Sequence, residues 1–228
     1  DQGVKELILV AQETTLYGTD IYGKKSLHIL LKKLCEIKGI RWIRVLYCYP
    51  EEIYDELIET IRDEKKICHY LDLPIQHASD RILKRMGRRT TRAQLEEIIG
   101  KLRKEIPDIA LRTTLITGFP GETQEDHEEL MAFVDEMEFD RLGVFTYSQE
   151  EDTPAATMED QIDEEIKKDR QEELMELQQE VSLDKNEEKI GRTMFAMVEG
   201  YLSDENVYVA RTYADAPGID GYLFIDTA

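Results

Sequence analysis

Ala110-Leu111-Arg112-Thr113-Thr114-Leu115-Ile116-Thr117-Gly118-Phe119-Pro120-Gly121-Glu122-Thr123 is the stretch on which the fold turns. Its opening run, to Thr117, is dense in β-branched and aliphatic side chains, the texture of a strand buried in a parallel sheet. Gly118 and Gly121 let the backbone turn sharply and approach a ligand, and Pro120 stiffens the turn. Thr123 with Asp126 then opens a helix as a capping box, with Asp in place of the usual Glu or Gln. Strand, tight turn and capped helix make one βα unit. The free amides of such a helix favour a negative group, which suits an adenine-bearing or carboxylate-bearing cofactor. A plain tight turn has the same composition.

The texture recurs on both sides of this unit. Glu6–Ala11, Trp42–Leu46, Cys68–Leu73 and Leu142–Tyr147 also read as buried strands, with starts 26 to 42 residues apart. Between them lie helical patterns. Ser26–Lys38 repeats Leu27, Leu30, Leu31 and Leu34 and stops at Gly39; Pro50 suits a helix first turn before Ile53, Leu57, Ile58 and Ile61. Ser79 caps a short helix ending at Gly87, and Thr91 with Gln94 forms a second capping box. Five consecutive units predict an α/β fold with a parallel sheet. An open doubly wound sheet lacks its Gly-x-Gly-x-x-Gly fingerprint, and an eight-stranded barrel lacks three units. A partial (β/α) barrel over residues 1–160 fits the count.

From Glu150 to Lys189 sixteen acidic residues face five basic ones, a net of −11. Ile162, Ile166, Leu174, Leu177 and Val181 form a helical stripe, weak at Arg170, so residues 161–190 read as a long acidic connecting helix. Thr193–Glu199, Val207–Arg211 and Tyr222–Ile225 read as short antiparallel strands of a small, incomplete β-domain at 191–228.

The 228 residues carry 49 acidic and 29 basic side chains, a formal net charge of −20. That charge disfavours nonspecific binding to nucleic acid or anionic membrane and favours a basic protein partner. No apolar run approaches the roughly 18 residues of a membrane span. Cys35, Cys48 and Cys68 are too sparse for a disulfide framework or a metal ligand set, which points to a reducing cytoplasm.

Ligands of parallel α/β folds bind beyond the carboxyl ends of the strands, and the unusual residues collect there. Gln12 and Glu13 follow strand one, and Tyr47-Cys48-Tyr49-Pro50 follows strand two. Gln76, His77 and Ser79 follow strand three, the Gly118–Gly121 turn follows strand four, and Tyr147–Pro154 follows strand five. Gln12 and Glu13 suit an ammonium group; Gln76 suits a ribose or substrate. Arg112 offers either neutralisation of a ligand carboxylate or pairing with a nearby Asp or Glu. No Ser-His-Asp order or paired-carboxylate spacing appears, so no catalytic side chain is assigned and a cofactor is implied.

Ala11–Thr15, Leu73–His77, Arg112–Thr123 and Tyr147–Ala156 together resemble the methylthiotransferases of the radical S-adenosylmethionine superfamily, over nearly the whole chain. Ser148-Gln149-Glu150-Glu151 and the run Ala210–Gly221 resemble the branch that modifies an aspartate of a small-subunit ribosomal protein, rather than the tRNA-adenosine branch. The resemblance implies a six-stranded partial barrel, with strands two to six present, followed by a TRAM-like domain. It implies S-adenosylmethionine and two 4Fe–4S clusters as cofactors, with the cluster cysteines upstream of Asp1, and hence a fragment inactive in isolation. It places Gln12 and Glu13 at the methionine amino group, Gln76 and Ser79 near ribose or substrate, and Ile116, Gly118, Phe119 and Gly121 near adenine. A non-catalytic interaction module is the reading from another class.

Overall fold

The computed structural model describes residues 3–226. Five strands, β1 (Glu6–Leu9), β2 (Trp42–Val45), β3 (Ile67–Asp72), β4 (Ala110–Thr117) and β5 (Arg141–Thr146), form one sheet in the order β1-β2-β3-β4-β5. Every neighbouring pair is parallel. A consecutive order places all crossover helices on one face, as in a barrel, whereas a doubly wound sheet reverses at a switch point.

Those helices are α1 (Thr19–Tyr22), α2 (Leu27–Cys35), α3 (Asp55–Asp63), α4 (Asp80–Arg85), α5 (Arg92–Glu105) and α6 (Gln124–Met137). Alternate strand residues Ile43, Val45, Leu71, Leu111, Leu115 and Val144 meet Leu31, Leu57, Ile99, Leu102, Leu130 and Phe133 in a single apolar core. Each such buried side chain contributes about 1.5–3 kcal/mol by leaving water. Both capping boxes form: Thr91 with Gln94, and Thr123 with Asp126.

Helix α7 (Glu164–Glu187) follows, then β6 (Met197–Leu202), β7 (Val207–Arg211) and β8 (Leu223–Asp226) in an antiparallel sheet ordered β6-β7-β8. No helix among the described residues is long and apolar enough to cross a membrane.

Several local expectations shift. Helix α2 ends at Cys35 rather than Lys38, and left-handed Gly39 (φ 93°) lies in the following turn. Pro50 starts a single 3₁₀ turn, and α3 begins only at Asp55. The buried face of α7 is Lys167, Arg170, Leu174, Gln178 and Val181, while Ile166 is exposed. Polar side chains hold that face because it covers β5, the edge strand, whose outward carbonyls need donors. Gln171 Nε2 donates to the Val144 carbonyl (2.6 Å), Gln178 Nε2 to Phe139 (2.8 Å) and Lys167 Nζ to Tyr147 (3.1 Å).

The second face of the parallel sheet carries charge. Glu6, Arg44, Asp72, Arg112 and Arg141 project from it, and the loop Thr212–Asp220 after β7 seats on them. Ala214 and Ala216 pack with Leu46, Cys68, Tyr70 and Ala110 at the centre of that contact.

Candidate functional site

Parallel strands bring their carboxyl ends to one rim, so Gln12, Glu13, Gln76 and the Gly118–Gly121 turn share one pole of the sheet. Gln12 is exposed there. Glu13 ties the first two rim loops together. Its Oε2 accepts from the Tyr49 amide (2.8 Å), and its Oε1 accepts from the Thr15 amide (2.8 Å) and hydroxyl. Burial raises the Glu13 pKa, Glu52 and Glu51 add to the rise, and the amides of Tyr49 and Thr15 oppose it. A cation arriving at this acidic corner would reverse that penalty.

Between these loops, Tyr47 holds a left-handed backbone (φ 59°), a conformation costing a non-glycine residue on the order of 1–3 kcal/mol. Two bonds maintain it: its amide donates to Asp72 Oδ2 (3.3 Å), and its carbonyl accepts from the Thr14 amide (2.9 Å). The Tyr47 side chain is about half exposed at the rim.

Gln76 is also left-handed (φ 71°), bridged to β4 by its own amide on Thr114 and by the Ile116 amide on its carbonyl. Its Oε1 is buried and finds no hydrogen-bond partner among the described residues. Ser79 is buried and engaged within the chain. Its hydroxyl donates to Asp126 Oδ1 (2.7 Å), which also meets Arg81.

The Gly118–Gly121 turn is built around Glu122, a residue the sequence reading passed over. Its fully buried carboxylate accepts from the Gly118 amide (2.8 Å) and the Phe119 amide (3.2 Å) and pairs with Arg170 (2.9 Å). Burial pushes its pKa up, but His77 (3.6 Å), Arg170 and the Phe119 amide outweigh that, and the net shift is downward. The amides that the sequence offers to an anion are thus taken by Glu122 and by the Asp126 capping box. The two glycines make room for side chains of this chain. A Cβ on Gly118 would sit 2.3 Å from Lys167 Cγ, and one on Gly121 would sit 3.0 Å from the Arg85 guanidinium. Ile116, Phe119, Tyr147 and Ile82 form an apolar patch beside the turn, with the Phe119 and Tyr147 rings edge-on at 5.3 Å.

Arg112 lies below the rim, where Asp72 (2.8 Å) and Asp220 (3.4 Å) flank its guanidinium. Of its two sequence-level readings, the geometry favours the ion pair. In the run Lys84–Arg89, Arg85 donates to the Pro120 carbonyl and Arg88 stacks over Tyr49, so part of this basic segment is structural.

Comparison with known proteins agrees with this architecture. Residues 1–134 match the Radical SAM superfamily and residues 190–228 match the TRAM domain. A Lachnoclostridium phytofermentans protein named ribosomal protein uS12 methylthiotransferase RimO is 65% identical over 99% of this chain, which covers 51% of that protein. A Clostridium perfringens protein of the same name is 58% identical, with 50% of its length covered. The chain spans about half the length of these curated relatives. An archaeal Elp3 from Methanocaldococcus infernus superposes over 90% of this chain and 64% of its own, with a TM-score of 0.50 at 12% identity, a likeness of fold. The superfamily match takes in more than half of the 228 residues, and the rim it spans is that of a parallel sheet with consecutive strands: the chain belongs to the radical SAM superfamily.

Proposed function

We propose that this chain is the cofactor-holding, substrate-facing part of a methylthiotransferase that adds a methylthio group to an aspartate of a small-subunit ribosomal protein. The observation that carries the reading is the convergence of Glu13, Gln76 and the Gly118–Gly121 turn on one pole, in a chain 65% and 58% identical to relatives named for that reaction.

S-adenosylmethionine fits the rim by chemistry. Its ammonium group answers the acidic corner of Glu13 and Glu51, where Glu51 Oε2 is buried without a partner among the described residues and the neighbouring Glu52 is already paired with Lys25 (2.7 Å). Its ribose hydroxyls suit the unpartnered Gln76 Oε1, and its adenine suits the patch of Ile116, Phe119 and Tyr147. Bound there, it would supply the methyl group and the radical chemistry. Glu13 orients the ammonium end, Glu122 shapes the turn, and Phe119 with Tyr147 keeps water from the ring.

The iron–sulfur clusters do not fit this chain's own residues. Among the described residues no group of three His, Cys, Asp or Glu could hold a metal ion, and the cysteines lie apart in α2, after β2 and in β3. No step is assigned through them. In this reading residues 1–160 present the cofactor, 161–190 brace the rim, and 191–228 form a TRAM-like domain. A net charge of −20 steers a basic ribosomal protein toward the molecule in the cytoplasm.

The test joins this sequence to the half of the Lachnoclostridium relative that it does not cover, reconstitutes the clusters anaerobically and follows uS12 by peptide mass spectrometry. A methylthio group on one aspartate is the expected result. An unmodified uS12 alongside a modified tRNA adenosine overturns the reading.

A further inference from the structure

We propose that Asp220, in the loop after β7, is a positioning residue for the rim, acting through Arg112 and Asp72 on the backbone of Tyr47. The inference goes beyond the reaction proposed above and holds whatever chemistry the rim serves.

The contacts form a continuous path along the charged face of the sheet. The Asp220 carboxylate is fixed first: Oδ2 accepts from the Tyr70 hydroxyl (2.7 Å) and from the Ala216 amide (2.8 Å). Its Oδ1 faces Arg112 Nε at 3.4 Å. Arg112 Nη1 donates to Asp72 Oδ1 (2.8 Å) and to the Thr114 hydroxyl (3.3 Å). The other Asp72 oxygen accepts from the Tyr47 amide (3.3 Å), while the Tyr47 carbonyl accepts from Thr14, beside Glu13. Asp72 and the Asp220 side chain are almost fully buried and Arg112 nearly so, which shields the path from competing water.

Two features make this a positioning device rather than ordinary packing. Buried ion pairs add little net stability over apolar residues of similar size, yet each member dictates where its partner sits. The path also ends on a strained residue. Left-handed Tyr47 persists only while both of its peptide groups are held, and Asp72 supplies one of the two bonds. The side chain it aims is a half-exposed tyrosine on the rim, two residues before Tyr49, whose amide donates to Glu13. A loop of the small β-domain, remote in sequence, thereby sets the geometry of two rim loops.

The test is residue-resolved amide exchange by NMR on this chain, with Asp220→Asn as the variant. Asparagine keeps the volume and an acceptor for Tyr70 while removing the charge that faces Arg112. Exchange at the Tyr47 amide is expected to accelerate at least about tenfold, with α5 and α6 amides unchanged. Glu199→Gln, which loosens the Arg211 pair at the same seam (2.5 Å) but lies off the path, is expected to leave Tyr47 protected. Arg112→Lys keeps the charge without the fork and serves should Asp220→Asn fail to fold. Unchanged Tyr47 exchange in a folded Asp220→Asn or Arg112→Lys variant overturns the proposal, as does acceleration spread evenly over the whole sheet. The readout uses no cofactor, so its failure leaves the proposed reaction standing and the converse holds too.

Discussion

Glu122→Gln removes one charge and almost no volume from the centre of the β4 turn. The wild-type carboxylate is fully buried and serves the Gly118 amide, the Phe119 amide and Arg170 together. Glutamine keeps one acceptor oxygen, but its NH₂ must then face either a backbone N–H or the guanidinium. One charge-assisted contact is lost and one donor is set against another, which costs about 2–4 kcal/mol. For a chain of this size about 2–4 °C accompanies each kcal/mol, so the Tm falls by about 5–15 °C. Thermal and urea unfolding measure this, and a double-mutant cycle with Arg170→Gln isolates the pair, with a coupling of about 1–3 kcal/mol. The pH dependence has a definite sign. The folded Glu122 pKa lies below its ordinary value of 4.5, so its stabilisation is complete above that value and is lost as pH falls through the folded one. The gap between wild type and Glu122→Gln therefore narrows below about pH 4.5. A Tm within about 2 °C of wild type at neutral pH would refute the claim that this carboxylate organises the turn.

Two further outcomes follow from the packing around the rim. Gly118→Ala and Gly23→Ala both force a left-handed alanine (φ 72° and 69°), but only the former drives a Cβ into Lys167, so it should shift the urea midpoint well beyond the roughly 1 kcal/mol of the latter. Equal midpoints would show that α7 does not press on the turn. Burial pushes the Cys68 thiol up to about 12 and holds that of fully buried Cys48 well above its ordinary value, whereas Cys35 is only half-buried. At pH 8, Ellman's reagent should label one thiol quickly in the native chain and all three in urea; rapid native labelling of Cys68 contradicts the packing.

Much of the fold was legible because its signals are local. Dense β-branched runs marked β4 over its full length, Ala110–Thr117, and Thr91-x-x-Gln94 and Thr123-x-x-Asp126 marked helix starts by chemistry confined to one turn. The rim was legible for a topological reason, since parallel strands send all their exits to one pole. The roles of Gly118 and Gly121 were not. A glycine reports that a Cβ is unwelcome without naming the neighbour, and those neighbours, Lys167 and Arg85, come from other elements. Helix α7 was only partly legible for a related reason: hydrophobic periodicity found Leu174, Leu177 and Val181 on the inward face, but that face also carries Lys167, Arg170 and Gln178, which meet carbonyls and a carboxylate. The interrupted stripe at Arg170 was itself the signal, because a charged residue on the inward side of a helix requires a buried partner of opposite sign.

The same logic explains why the charged face of the sheet stayed hidden. Glu6, Arg44 and Arg112 each place one charge on the face opposite the apolar core, and a lone charge on a short strand does not name its partner. Yet the Arg44 side chain is fully buried, stacked on Tyr70 at 4.5 Å, bonded to Glu6 (2.8 Å) and capped by the Tyr213 carbonyl (2.7 Å). Glu6 reaches onward to Arg211 at the end of β7 (2.7 Å). Glu6, Arg112 and Arg141 thus find opposite charges far along the chain, in Arg211, Asp220 and Asp215. Such a seam resists sliding, because a shift in register would strand buried charges without partners, a penalty of several kcal/mol per ion. An apolar seam of equal area would tolerate a shift. Charge is therefore the feature that holds the small β-domain in one orientation on the sheet, and the rim above it inherits that definition through Arg112.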